Sequence, residues 1–164
     1  MKVYIDGEAL LEVLGARGVR SSRPGRNTLR QDMLRWLSRY AEIQQCDVTV
    51  VFGAGRSGEV RSPVEQHGKV RVVNLQPGAE VLHEIAGPAS RAARLGRVWA
   101  VASDAGIEKA LNRGRARAMQ PEEFMLRAQA LMRREPGDDG EPQGKFSGVS
   151  EGDVEFWTRF FEEA

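Results

Sequence analysis

The sequence is poor in the residues that most often do chemistry through nitrogen or sulfur, with one cysteine and two histidines among 164 residues. A single cysteine, Cys46, excludes an intrachain disulfide framework and suits a reducing compartment. Flanked by Gln45 and Asp47, it reads as a structural thiol rather than a nucleophile. His67 and His83 show no H-x-x-x-H or Cys/His spacing, so zinc is not indicated, and neither has the context of a Ser/His/Asp triad. No apolar run approaches the ~20 residues of a membrane span. Asp6 and Glu8 interrupt what would be the core of a signal peptide, and the expected location is cytoplasmic. A net charge of +1 names no partner.

What is present is a soluble composition, 41% hydrophobic and 29% charged, in a chain long enough for one domain with a real core. The charge is unevenly placed: Arg17, Arg20, Arg23, Arg26, Arg30, Arg35 and Arg39 crowd one region, whereas Glu151 to Glu163 is acidic. Val98 to Ala102 is an apolar run of strand length, broken by Ser103-Asp104 and followed by a helical pattern with Ile107 and Leu111 four apart. The chain opens the same way, Val3-Tyr4-Ile5 running into Asp6-Gly7 and then a helical stretch from Glu8 to Leu14. Both units place a carboxylate at the C-terminal end of a strand, the edge where open parallel sheets bind ligands.

Between these units, Gly15 to Asn27 reads as a basic loop, and Asn27 or Thr28 is the expected cap of a helix reaching about Gln44. Leu29, Met33, Trp36, Leu37 and Tyr40 give that helix a buried stripe. Arg30, Arg35 and Arg39 fall outside the stripe, on a solvated face or, with the basic loop, on a phosphate-binding surface. The strand DVTVVF (Asp47 to Phe52) runs into Gly53 to Gly58, which matches G-x-G-x-x-G. A dinucleotide fingerprint needs a helix to begin within those glycines, and Pro63 and Gly68 argue against one, so a glycine loop is preferred. The chain returns to strand at Val70 to Leu75. A helix is expected over Pro77 to Gly96, with Glu80 in its first turn and a break or kink at Gly87-Pro88. Ala116 to Met119 is a short strand, and Gln120-Pro121-Glu122-Glu123 opens a helix that reaches about Arg134. Residues 1–134 are thus the expected domain, 135–149 an irregular linker, and 150–164 an amphipathic helix bearing Val154, Trp157, Phe160 and Phe161. That helix packs on its own domain or on a partner chain, including a second copy. Strands alternating with helices imply an α/β fold with a parallel sheet covered on both faces.

If the strands ending at Asp6 and Asp104 are neighbours, these two carboxylates converge with Glu80. Like charges so placed call for a cation, and an all-oxygen donor set suits Mg²⁺ or Mn²⁺. Such an ion can activate water and stabilise charge on a phosphodiester.

The segments YIDG (Tyr4 to Gly7), VTVVFGAG (Val48 to Gly55), GAEVLHEIA (Gly78 to Ala86), VWAVASDAGIEKAL (Val98 to Leu111) and ARAMQPEEFM (Ala116 to Met125) resemble, in this order, the NYN branch of the PIN-like nucleases. The YacP-like group is the nearest match, and the resemblance spans about Met1 to Arg134. It implies a three-layer α/β/α PIN-like (Rossmannoid) fold with a mainly parallel central sheet, divalent metal in an acidic pocket, RNA cleavage and ribosome association. Asp6 and Asp104 stand at two family aspartates, and Glu80 stands where the family has Asp. Ala9 and Gly53 occupy positions where it has Asn and Asp.

The resulting expectation is a metal-dependent endoribonuclease with Asp6, Glu80 and Asp104 as catalytic and metal residues. Ser103 and Glu108 would support them, and Arg20, Arg23, Arg26, Arg30, Arg56 and Arg61 would bind RNA. The alternative is a PIN-like module that has lost catalysis and binds RNA or the ribosome, to which Ala9 and Gly53 point.

Overall fold

The computed structural model describes residues 1–17, 25–54, 62–111 and 116–132, and for Arg17, Arg26 and Glu108 the backbone alone. The elements run β1 (Lys2–Asp6), α1 (Gly7–Arg17), α2 (Arg26–Ile43), β2 (Asp47–Phe52), β3 (Val64–His67), β4 (Val70–Asn74), α3 (Val81–Ala92), β5 (Val98–Val101), α4 (Gly106–Ala110), β6 (Ala116–Met119) and α5 (Pro121–Met132). They build one sheet in the order β3-β4-β2-β1-β5-β6. Every pairing in it is parallel except that of β3 with β4.

Alternation along each strand sorts its side chains between two cores. Val3, Ile5, Val48, Val50 and Phe52 face α1, α2 and α5, whereas Tyr4, Val51, Val98 and Ala100 face α3 and α4. The result is the α/β/α sandwich that the alternating pattern implies, with both faces of the sheet covered. The stripe on α2 is buried as its spacing predicts: Met33, Leu37 and Tyr40 are fully inside and Leu29 packs at the edge. Pro121 is the first residue of α5, where its missing N–H costs nothing.

Four local expectations are corrected. Helix α2 starts at Arg26 with Gly25 as its N-cap rather than Asn27 or Thr28. The Gly25 carbonyl accepts the Leu29 amide at 3.0 Å, and Gly25 itself has no side chain with which to cap this end. Strand β3 was not legible because Pro63 precedes it and only Val64 among its residues is apolar. As an edge strand it needs no buried stripe, and Gly68, at φ +56, turns the chain back into β4. Helix α3 is shorter than the apolar pattern suggests, because Gln76 to Ala79 closes as a turn through Gly78 at φ +91. It also runs unbroken through Pro88, since Ile85, Ala86 and Ala89 remain packed on the sheet and one lost backbone bond does not outweigh that contact.

Trp36 and Tyr40 of α2 stack at 6.2 Å, and Phe124 of α5 meets the Tyr40 ring edge-on at 5.5 Å. This cluster joins the two helices, but the fully buried Tyr40 hydroxyl finds no hydrogen-bond partner among the described residues. Burial also drives its pKa up, with Cys46 adding to the effect. An unmet buried hydroxyl costs about 1–3 kcal/mol. Tyr40→Phe, which keeps the ring and removes that group, is therefore expected to stabilise the fold by about 1 kcal/mol or more in urea unfolding; a loss of stability would show that the hydroxyl is satisfied in solution.

Candidate active site

Strand β1 passes into α1 without a connecting loop, so Asp6 stands directly before the open amides of a helix. Its Oδ1 accepts the N–H of Glu8 at 3.0 Å and of Ala9 at 3.1 Å, acting as the helix cap. The turn is possible because residue 7 is glycine: a Cβ there would lie 2.5 Å from Cε1 of Phe52. Burial raises the Asp6 pKa; the two backbone bonds oppose it, and the nearby charges of Glu12 and Asp104 add to the rise.

Strand β5 repeats the device a little more loosely. In the parallel register Ile5 lies beside Val101, so the two strands end together. Asp104 accepts the Gly106 amide on Oδ1 at 2.6 Å, while its carbonyl accepts the Ile107 amide at 3.0 Å. A Cβ on Gly106 would meet that Oδ1 at 2.9 Å and Leu82 at 3.5 Å, so glycine again leaves the carboxylate its place.

Glu80 comes from the opposite wall. It precedes α3 in extended conformation, and its side chain makes no capping bond. The carboxylate is largely exposed and lies 3.4 Å from Nδ1 of His83. With Asp6, Asp104 and the apolar side chains of Val81, Leu82, Ile85 and Ala102 it lines an open cleft of about 420 Å³.

The three carboxylates singled out by sequence therefore share one cleft. Among the described residues, however, no three Asp, Glu, His or Cys side chains are close enough to hold a metal ion on their own. Ser103 is exposed beside Asp104 and makes no hydrogen bond to it among the described residues. The Glu108 and Arg26 side chains and all of Arg20, Arg23, Arg56 and Arg61 lie outside the described residues, as do the rest of the glycine pattern beyond Ala54 and the aromatic tail.

Arg30 is corrected outright. It was expected on a solvated or RNA-facing surface, yet it is 5% exposed. The guanidinium is drawn inside by an aromatic face, an amide oxygen and a carboxylate: Phe52, Asn74 and Glu65. Arg35 does lie on the exposed face, paired with Asp32.

Ala9 is buried and serves the cleft only through its amide. Gly53 leaves the cleft wall open beside Val81, since a Cβ there would come no nearer than 3.5 Å. Sequence reading missed Gly7 and Gly106 as parts of the site. Their signal was present in the repeated pattern of an aspartate at a strand end followed within two residues by glycine.

The chain matches the YacP-like NYN domain over residues 18–141, a span that holds Glu80 and Asp104 and begins after Asp6. Its fold is similar to the crystal structure of a mutant form of Rae1 (YacP) from Bacillus subtilis, with a TM-score of 0.62 at 15% identity, covering 81% of this chain and 77% of that one. Rae1 (YacP) from Bacillus subtilis without the mutation aligns with a TM-score of 0.56 at 15% identity over 82% and 76% of the two chains. No curated protein matches significantly. The structural likeness is one of fold, a six-stranded, mostly parallel sheet between helical layers. The domain match spans most of the sequence, and on it the chain belongs to the YacP-like NYN domain family.

Proposed function

We propose that the protein is a divalent-metal-dependent endoribonuclease that hydrolyses RNA phosphodiester bonds in the cleft between Asp6, Glu80 and Asp104. The observation that carries this reading is the convergence of three carboxylates, from three distant segments, on one open cleft at the C-terminal edge of the sheet.

The donor set fits Mg²⁺ or Mn²⁺: it is all oxygen, and Asp6 is a half-buried carboxylate strained by burial and by its neighbour Asp104. Asp6 and Asp104 would hold the ion, Glu80 would reach it from the rim, and waters would fill the remaining positions. When bound, the ion would neutralise these charges and supply Lewis-acid activation for phosphodiester hydrolysis. The side chains would do the rest. Amides hold Asp6 and Asp104 in place through Oδ1, so neither carboxylate must reorganise during the reaction. Glu80, whose exposed carboxylate lies beside His83, would take a proton from the attacking water. Ser103 and Glu108 would assist at the Asp104 side. Arg20, Arg23, Arg26, Arg56 and Arg61 would bind the RNA backbone, with affinity falling as salt rises. The setting would be cytoplasmic and ribosome-associated; among the described residues no helix is long and apolar enough to cross a membrane.

A second reading is supported by a specific observation, namely that the described side chains do not by themselves close around an ion. With Ala9 and Gly53 in place of polar residues, the fold would then act as an RNA- or ribosome-binding module without cleavage. Purified protein incubated with single-stranded and structured RNA, in Mn²⁺ or in EDTA, separates the two. The enzyme reading expects Mn²⁺-dependent cleavage that Asp104→Asn lowers by at least about 100-fold. RNA retained uncut in every metal would support the binding module instead.

Asp6 supplies an independent measurement. Below the ordinary carboxylate range it is protonated in both folded and unfolded chains. As pH rises through its raised folded value, the folded protein must release a proton it holds more tightly than the unfolded chain does, and stability is lost. Asn at this position keeps an oxygen for the Glu8 and Ala9 amides without that loss. In EDTA, Asp6→Asn is expected to melt at or above the wild-type temperature at about pH 7, with the difference shrinking toward about pH 3. Millimolar Mn²⁺ should raise the wild-type melting temperature and leave that of the variant nearly unchanged. Equal responses of the two proteins to Mn²⁺ would place the ion elsewhere.

A further inference from the structure

We infer that Arg30 is a positioning residue for the acidic cleft: through the ring of Phe52 it fixes the first turn of α1, and with that turn the Asp6 carboxylate. Its consequence for cleavage rests on the ribonuclease reading above, whereas its consequence for the Asp6 turn does not.

Arg30 is the only charged residue buried among the described ones. Such a group persists inside a protein only when its surroundings are organised around it. Its Nη2 donates to Oδ1 of Asn74 at 3.0 Å and lies 3.7 Å from Oε2 of Glu65. Asn74 is itself held, donating through Nδ2 to the Ser62 carbonyl at 2.7 Å and to Oε1 of Glu65 at 2.8 Å. The guanidinium is therefore clamped at its edge, and its carbon sits 4.0 Å from the centroid of the Phe52 ring.

Phe52 transmits that clamp to the cleft. The same ring would lie 2.5, 2.7 and 2.8 Å, through Cε1, Cδ1 and Cζ, from any Cβ placed on Gly7. The ring that carries the guanidinium thus also fills the space against the backbone that links Asp6 to Glu8. Glu8 and Ala9, the next two residues, supply the amides that hold Asp6.

A purely structural role, tying the β3–β4 hairpin to α2, accounts for Asn74, Glu65 and Ser62. It does not account for the ring pressed onto the one glycine that follows the cleft aspartate. The arrangement needs a planar cation with a fork of donors; a lysine ammonium has the charge but neither the face nor the fork.

Arg30→Lys and Phe52→Leu test the inference together. In each variant, checked as folded by circular dichroism, amide hydrogen exchange at Glu8 and Ala9 is expected to be roughly tenfold faster relative to the rest of α1. In Mn²⁺, kcat on RNA should fall about 10- to 100-fold with KM little changed, because the proposed RNA contacts lie on other arginines. If Arg30→Lys does not fold, Phe52→Leu carries the same measurements with Arg30 in place. Variants that melt earlier but keep wild-type exchange at Glu8 and Ala9 would overturn the inference and leave Arg30 a stabilising residue only. Wild-type protein that cleaves no RNA in any metal would defeat the ribonuclease reading, and the amide exchange would then decide this inference by itself.

Discussion

The constraint on which the cleft depends is that two adjacent parallel strands each lead into a helix, β1 directly and β5 after a short turn that carries Asp104. A helix that starts this abruptly exposes its first amides, and a carboxylate at the strand end is the shortest side chain that can both satisfy them and keep an oxygen toward solvent. Asp6 and Asp104 do this in parallel strands with matched ends. Their proximity follows from the sheet, not from attraction between them. The Asp6 pKa records the tension, since burial raises it against the pull of two backbone bonds.

Everything around the cleft serves to hold that geometry. Glycine stands at residue 7 and at residue 106, one and two places after the aspartates, because a side chain would strike Phe52 in one case and the Asp104 carboxylate in the other. The apolar wall from Val81, Leu82 and Ile85 belongs to the surface by which α3 seals the second core. The buried Arg30 lies against Phe52 at the end of the neighbouring strand β2.

Much of this was legible in the chain. Val98 to Ala102 and Val3 to Ile5 are apolar runs that end in aspartate, and strands of that kind in alternation with helices leave few arrangements other than a covered parallel sheet. The stripe of α2 and the proline opening α5 were readable for the same reason: periodicity and backbone chemistry act locally. Arg30 was not readable. Its burial depends on Phe52, Glu65 and Asn74, which reach it only through the sheet order, and helical spacing alone placed it among solvated arginines. Strand β3 escaped because an edge strand needs no apolar alternation, and the cap of α2 because Gly25 contributes backbone geometry rather than a side-chain signal.

The position of β1 in the middle of the sheet has a consequence for how the molecule comes into being. Its partner on one side, β2, is synthesised soon afterward, but its partner on the other, β5, emerges only after the hairpin and α3. Asp6 therefore leaves the ribosome well before Asp104 joins it. A nascent chain can assemble the α1–α2 side of the sheet while the cleft still lacks a wall and a carboxylate. The cleft is thus complete only once most of the domain has been made.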